Sequence, residues 1–288
     1  MQFGLVANRL HRQQADGGLA RWITACDAGI RALGLGLHVV GGTHDALARQ
    51  GLLAGYTPLE RLPYGAEGGV MRLASRMADG LVAGDALDGV IYLIDPVDPS
   101  SLYPETQALK RQCVIHGKPF IATVAGAIEW IGVELAHAGL AAPDRLAALD
   151  SQAVALIAHD AFKDRMVDFA GRHFDLLSRF ASRVGTGTTG ARLNELAWAR
   201  GWPQDRPWVQ RYLSGPMGGD AQIAELVLDR RCHKVIFFED PHVARQHEAD
   251  IQLLERAVCS ATRETTCFNS PAMAERWASA VAGAPALS

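Results

Sequence analysis

Val154-Ala-Leu-Ile-Ala158 is a run of five apolar residues that stops at His159, and Phe3-Gly-Leu-Val-Ala7, stopping at Asn8, repeats it near the start of the chain. A run this short, apolar at every position and closed by a polar residue, predicts a strand buried on both faces, as in a parallel sheet. Three further pairs follow in the same order. Gly42-Thr43-His44 matches Gly187-Thr188-Thr189, Tyr64-Gly-Ala-Glu-Gly-Gly-Val70 matches Ser214-Gly-Pro-Met-Gly-Gly-Asp220, and Val90-Ile-Tyr-Leu-Ile-Asp-Pro96 matches Val235-Ile-Phe-Phe-Glu-Asp-Pro241. The offsets run from 145 to 151 residues, so the chain reads as two diverged copies of one unit. Ala136–Ser151, rich in alanine with a Pro-Asp turn, reads as the linker, giving domains at 1–140 and 152–288.

Within the second copy the rhythm alternates. Helices are expected near Lys163–Arg179, Gly190–Arg200, Ala221–Asp229 and Asp250–Thr262, and strands at Val154–Ala158, ending at Gly185, and at Val235–Glu239. Such alternation predicts an α/β fold: two tandem copies of a three-layer domain, each a mostly parallel sheet with helices on both faces. Ligands of these sheets sit at the carboxyl ends of the strands. Every polar motif of the second copy falls there.

Bulk composition narrows the partners. The 288 residues are 49% apolar and 20% charged, with a net charge of −3. Residues 1–150 carry 12 basic and 15 acidic side chains and the remainder 16 of each, so neither half is an electrostatic tail. No Lys/Arg run offers a footprint for nucleic acid or an anionic membrane. No apolar stretch reaches the roughly 20 residues that span a bilayer. The five cysteines form no Cys-x-x-Cys pair, which suits idle thiols in a reducing compartment. A strand-like run opening the sequence leaves no room for a signal peptide, and a soluble, cytoplasmic protein is expected.

Four clusters in the second copy carry candidate chemistry. Gly185-Thr-Gly-Thr-Thr-Gly190 follows a strand and opens a helix, where converging N–H groups and hydroxyls could cradle a phosphate or simply cap the helix. It lacks the lysine and spacing of a P-loop. Two glycines before Asp220 permit close backbone approach to a ligand, although the same acid serves equally as an N-cap for a helix starting at Ala221. His159 and Lys163, four apart, can share one helix face; a lysine offers charge to phosphate and a histidine a donor to a carbonyl. Asp240, His247 and Asp250 gather after a strand in a spacing that fits no metal motif, so no metal is expected.

The contrast between copies separates fold from chemistry. The first copy has Asn8 for His159, Arg12 for Lys163, Tyr64 for Ser214, Val70 for Asp220, Leu102 for His247 and Glu105 for Asp250, while its apolar strands and turn glycines persist. A lost active site explains joint exchange of these positions better than separate structural changes.

From about Ala153 to Ser279 these residues resemble the methylglyoxal synthase family. The resemblance rests on Ala158-His-Asp with Lys163, the Gly-Thr-Gly-Thr-Thr-Gly segment, Ser-Gly-Pro-Met-Gly-Gly-Asp, and Phe-Phe-Glu-Asp-Pro with His247 and Asp250. It implies dihydroxyacetone phosphate as substrate, methylglyoxal and inorganic phosphate as products, no cofactor, and a homo-oligomer with phosphate as a possible effector. It also implies Asp220 as the base, contacts from His159, Lys163, Thr186, Gly187, Thr188, Thr189, Ser214, Gly215 and His247, and support from Asp240 and Asp250. Two departures stand out. Gly201-Trp-Pro-Gln-Asp-Arg-Pro-Trp208 is longer than the family pattern, suggesting a lid or an interface, and Ala282–Ser288 does not match the family's basic tail. The fold also resembles the allosteric domain of carbamoyl-phosphate synthetases, so the alternative is a regulatory protein that binds small anions or nucleotides without catalysis; the first copy, keeping Arg12, Gly41, Gly42 and Thr43, suits that role better than the second.

Overall fold

The computed structural model describes residues 1–143, 146, 148–242 and 248–283, with backbone alone for 248–251. The chain divides into two units, Met1–Ala141 and Ala142–Ser288. The boundary lies inside the expected linker, but the helix before it runs to His137, so that linker starts later than composition suggests.

Unit 1 contains β1 (Gln2–Ala7), α1 (Arg9–Gln13), α2 (Gly18–Leu33), β2 (Gly36–Val40), α3 (Gly41–Arg49), β3 (Leu59–Leu62), α4 (Gly69–Met77), β4 (Gly89–Leu93), α5 (Pro104–Ile115), β5 (Phe120–Ile121) and α6 (Val124–His137). Unit 2 contains β6 (Ala153–Ala158), α7 (Lys163–Arg172), α8 (Phe174–Ser178), β7 (Ser182–Thr186), α9 (Gly187–Ala199), β8 (Gln210–Tyr212), α10 (Gly219–Leu228), β9 (Lys234–Phe238), α11 (Glu248–Ser260), β10 (Thr266–Phe268) and α12 (Pro271–Gly283). Each unit has a five-stranded sheet, ordered β3-β2-β1-β4-β5 in the first and β8-β7-β6-β9-β10 in the second. Both orders are third-second-first-fourth-fifth, and every strand pairing is parallel.

The central strands show why this sequence makes such a sheet. All six residues of β6 and all five of β9 are buried, so both faces need cover, and helices on either side provide it. On one face Ala155, Ile157, Val235 and Phe237 pack with Ile223, Val227 and Leu254 from α10 and α11. Even the lysine that opens β9 is accommodated: Lys234 Nζ donates to Thr266 Oγ1 at 2.8 Å and lies 5.1 Å from the ring centres of both Phe268 and Trp277. Unit 1 repeats the pattern, with Val6, Val90 and Tyr92 packed against Leu73, Met77 and Leu109.

Several boundaries differ from expectation. The helix expected over Lys163–Arg179 is two helices, because His173 leaves the helical region at φ −108° and ψ 27°. The helix expected from Gly190 starts at Gly187, so Gly187, Thr188 and Thr189 form its first turn rather than a preceding loop. The long segment before β8 is anchored at its C-terminal end. Its Trp208 is buried, its Trp202 and Trp208 rings flank the Arg183 guanidinium at 5.6 and 5.5 Å, and Arg183 Nε donates to the Trp208 carbonyl at 2.8 Å. Arg183 sits at the entry of β7, three residues before the end that faces ligands. Among the described residues no helix is long and apolar enough to cross a membrane. No disulfide joins any of the five cysteines.

Candidate active site

Ten of the twelve residues expected at the site line one cavity of about 510 Å³ at the carboxyl edge of the unit 2 sheet: His159, Lys163, Thr186, Gly187, Thr188, Thr189, Ser214, Gly215, Asp220 and Asp240. The other two, His247 and Asp250, lie outside the residues whose side chains are described.

The polar groups reach the cavity from strand ends and from the helix starts that follow them. His159 follows β6, and its N–H continues the ladder by donating to the Phe238 carbonyl at 3.1 Å. The Asp240 N–H donates to His159 Nδ1 at 2.7 Å. An amide can only donate, so Nδ1 is the accepting nitrogen and the ring proton resides on Nε2. Phe237 meets the ring edge-on at 4.9 Å, fixing its plane. Asp240 is therefore chiefly a positioning residue: its backbone sets the imidazole, and its Oδ1 accepts the His242 N–H at 2.9 Å.

Lys163 opens α7, and its Nζ is 2.5 Å from Asp160 Oδ1. The aspartate side chain is 95% exposed, so water competes for it and the pair holds the ammonium only weakly against an incoming anion. Asp160 belongs to the Ala158-His-Asp run that carries the resemblance but is given no role there; its i,i+3 spacing from Lys163 is the signal for this pairing. The apolar wall from Ile157 and Phe237 was also missed, because strand residues read as core.

The two glycine-containing turns meet at Gly187. Its φ is +32°, and a side chain there would place Cβ 2.7 Å from Ser214 Cα, a separation that glycine alone permits. Its N–H donates to the Leu213 carbonyl at 3.1 Å, locking the threonine turn against the serine turn. Thr189 is buried and Thr188 exposed, so the pair presents hydroxyls at different depths beside the remaining N–H groups of the first turn of α9.

The run Ser214–Asp220 explains how a carboxylate comes to point inward. Ser214 leads into a 3-10 turn over Gly215–Met217, and Gly218, at φ +97°, reverses the chain into α10. At Gly219 a Cβ would stand 1.9 Å from the Leu213 carbonyl oxygen, so the reversal is possible only without a side chain. Gly218 holds the N-cap position and Asp220 is the second residue of the helix, so Asp220 is not the N-cap of a helix starting at Ala221. Instead Asp220, 7% exposed, lies against Gly215, where an added Cβ would be 2.6 Å from its Oδ2.

Unit 1 corrects one pairing between the copies. β2 turns into α3 at Gly41, as β7 turns into α9 at Gly187, so Gly41 and not Gly42 is the counterpart of Gly187 and Thr43 that of Thr189. The other exchanges fall where expected. Asn8 Oδ1 accepts the Asp95 N–H at 2.9 Å, the bond that His159 Nδ1 makes with Asp240. Val70, 6% exposed, is the second residue of α4 as Asp220 is of α10. The expected pairings of Leu102 with His247 and Glu105 with Asp250 involve residues outside the described set. Among the described residues no group of three His, Cys, Asp or Glu side chains converges as a metal site.

A parallel α/β unit thus gathers a carboxylate, an imidazole, an ammonium and a threonine turn around one cavity. Over 109 residues, 38% of this chain, the sequence is 49% identical to a methylglyoxal synthase of Thermus thermophilus and covers 79% of it. Methylglyoxal synthase of Clostridium beijerinckii is 39% identical over 107 residues, 37% of this chain and 82% of its own. The chain belongs to the methylglyoxal synthase family. A crystal structure of methylglyoxal synthase from Elizabethkingia anophelis aligns with 44% of this chain and 76% of its own at 32% identity, with a TM-score of 0.35. No family model matches the chain.

Proposed function

We propose that unit 2 is a methylglyoxal synthase, converting dihydroxyacetone phosphate to methylglyoxal and inorganic phosphate without a cofactor. Asp220 removes a proton from the hydroxymethyl carbon beside the ketone. That carbon acid is weak, so the charge arriving on the ketone oxygen needs a donor, and the Nε2–H of His159 supplies it, assisted by Ser214. Lys163, the threonine hydroxyls and the first turn of α9 hold the phosphoryl group. The enediolate, protonated on the former ketone oxygen, then expels phosphate. The hydroxyl of the deprotonated carbon gives its proton to the departing phosphate and becomes the aldehyde C=O, and the C=C shifts toward the ester carbon as its C–O bond breaks. The resulting enol ketonises, its O–H proton going to solvent while the carbon that lost phosphate takes a proton from solvent to become the methyl group. His247 and Asp250 belong to the proposed set through the family pattern.

The observation that carries this reading is the convergence of Asp220, the Asp240-oriented His159 and Lys163 on the cavity that holds the threonine turn. Incubating the purified chain with dihydroxyacetone phosphate is expected to yield methylglyoxal and phosphate in equal amounts, with one solvent deuteron in the methyl group when the reaction is run in D2O. Formation of glyceraldehyde 3-phosphate with phosphate retained would overturn the elimination step. Product phosphate should inhibit competitively, since it fits the cradle the substrate needs.

A further inference from the structure

Unit 1 keeps a cavity of about 540 Å³ at the carboxyl edge of its own sheet, lined by Arg12, Gly42, Thr43, Tyr64 and Val70 among others. Well-packed interiors close unused space, and pockets of several hundred cubic ångströms are typical of small-ligand sites. The proton acceptor is gone, since Val70 stands where an acid would act. A cation remains. Arg12 Nη1 fills the place of the missing Gly42 side chain, 1.8 Å from where its Cβ would be, and Arg12 Nε is buried with no hydrogen-bond partner among the described residues. Arg12 lines the cavity, and its planar guanidinium fork matches the oxygen pair of a phosphoryl group. Asp98 and Glu105 also line the cavity; Asp98 Oδ1 accepts the Ser100 N–H at 3.0 Å and its hydroxyl at 2.7 Å. Carboxylates near a bound anion repel a second negative group but accept hydroxyls.

We infer that unit 1 binds, without turning over, a small phosphate ester that carries hydroxyl groups, its phosphoryl group on Arg12 and its hydroxyls toward Asp98 and Glu105. This binding is independent of any reaction in unit 2.

Calorimetry on the intact chain with glycerol 3-phosphate, which has no ketone to react, tests it. Two sites per chain are expected. Arg12→Ala should weaken one of them at least tenfold, as should Gly42→Ala, whose methyl displaces the guanidinium while leaving the arginine in place; unchanged thermal midpoints check the fold of each. Lys163→Ala should affect only the other site, so failure of the unit 2 reading shows up separately from failure of this one. Inorganic phosphate should bind the Arg12-dependent site at least tenfold more weakly than glycerol 3-phosphate. Binding unmoved by both Arg12→Ala and Gly42→Ala, or equal affinity for inorganic phosphate, overturns the inference.

Discussion

The Asp220 carboxylate rests on Gly215, a residue with no side chain. Gly215→Ala would drive a methyl to 2.6 Å from Oδ2 and turn the carboxylate away. Misplacing a reacting group by about 1 Å can cost about 100-fold in rate, so kcat for phosphate release should fall on that order while the thermal midpoint moves little. His159 gives a second test. Asn8 shows that asparagine at this position still accepts the backbone N–H of the following strand's aspartate. His159→Asn should therefore fold normally yet lose the Nε2–H donor, lowering kcat by about 100-fold or more. The acid was legible in the sequence because the two copies differ there while sharing the glycines around it. That Gly218 caps the helix was not, since it depends on a positive φ that Gly-Gly only permits.

At the scale of elements, strand ends decide what the site can hold, and strand entries decide whether it forms. Trp208 is 1% exposed, stacks on Phe174 at 4.8 Å, and donates from Nε1 to Ser178 Oγ at 3.0 Å. Trp208→Ala should cost about 3–5 kcal/mol of stability, read by denaturant melts. If the segment were a lid, KM would change instead and stability would hold. The entry of β6 carries a pH-sensitive bond, because the Ala153 N–H donates to His233 Nδ1 at 3.1 Å. Burial, with a smaller contribution from neighbouring Lys234, lowers the His233 pKa below its ordinary value. The unfolded chain then binds the proton first, so this contribution is present above about pH 6.5 and is lost as pH falls toward the depressed folded value. The thermal midpoint should drop on acidification below about pH 6.5, less steeply in His233→Gln. Half-buried His38 in unit 1, shifted the same way by burial, keeps some slope in that variant. The alternation of strands and helices could be read from apolar runs, whereas the break at His173 and the early start of α9 could not. Both depend on local dihedral choices that several neighbouring residues would have allowed.

Across the whole chain, two units share a strand order and differ at a handful of side chains on the carboxyl edges of their sheets. The matching apolar runs made the fold readable, because strands buried on both faces need apolar residues at nearly every position. The one-residue error in pairing Gly42 with Gly187 arose because Gly41 and Gly42 are adjacent glycines, and only the point where β2 becomes α3 tells them apart. All turnover is expected to depend on one acid in unit 2, with Val70 unable to replace it. Phosphate release from dihydroxyacetone phosphate by wild type and by Asp220→Asn, compared in one assay, tests that claim directly. The wild type is expected to release phosphate, and the variant to lose at least about 1,000-fold in rate with folding intact. Release by Asp220→Asn within tenfold of wild type, or none from the wild type itself, would contradict it.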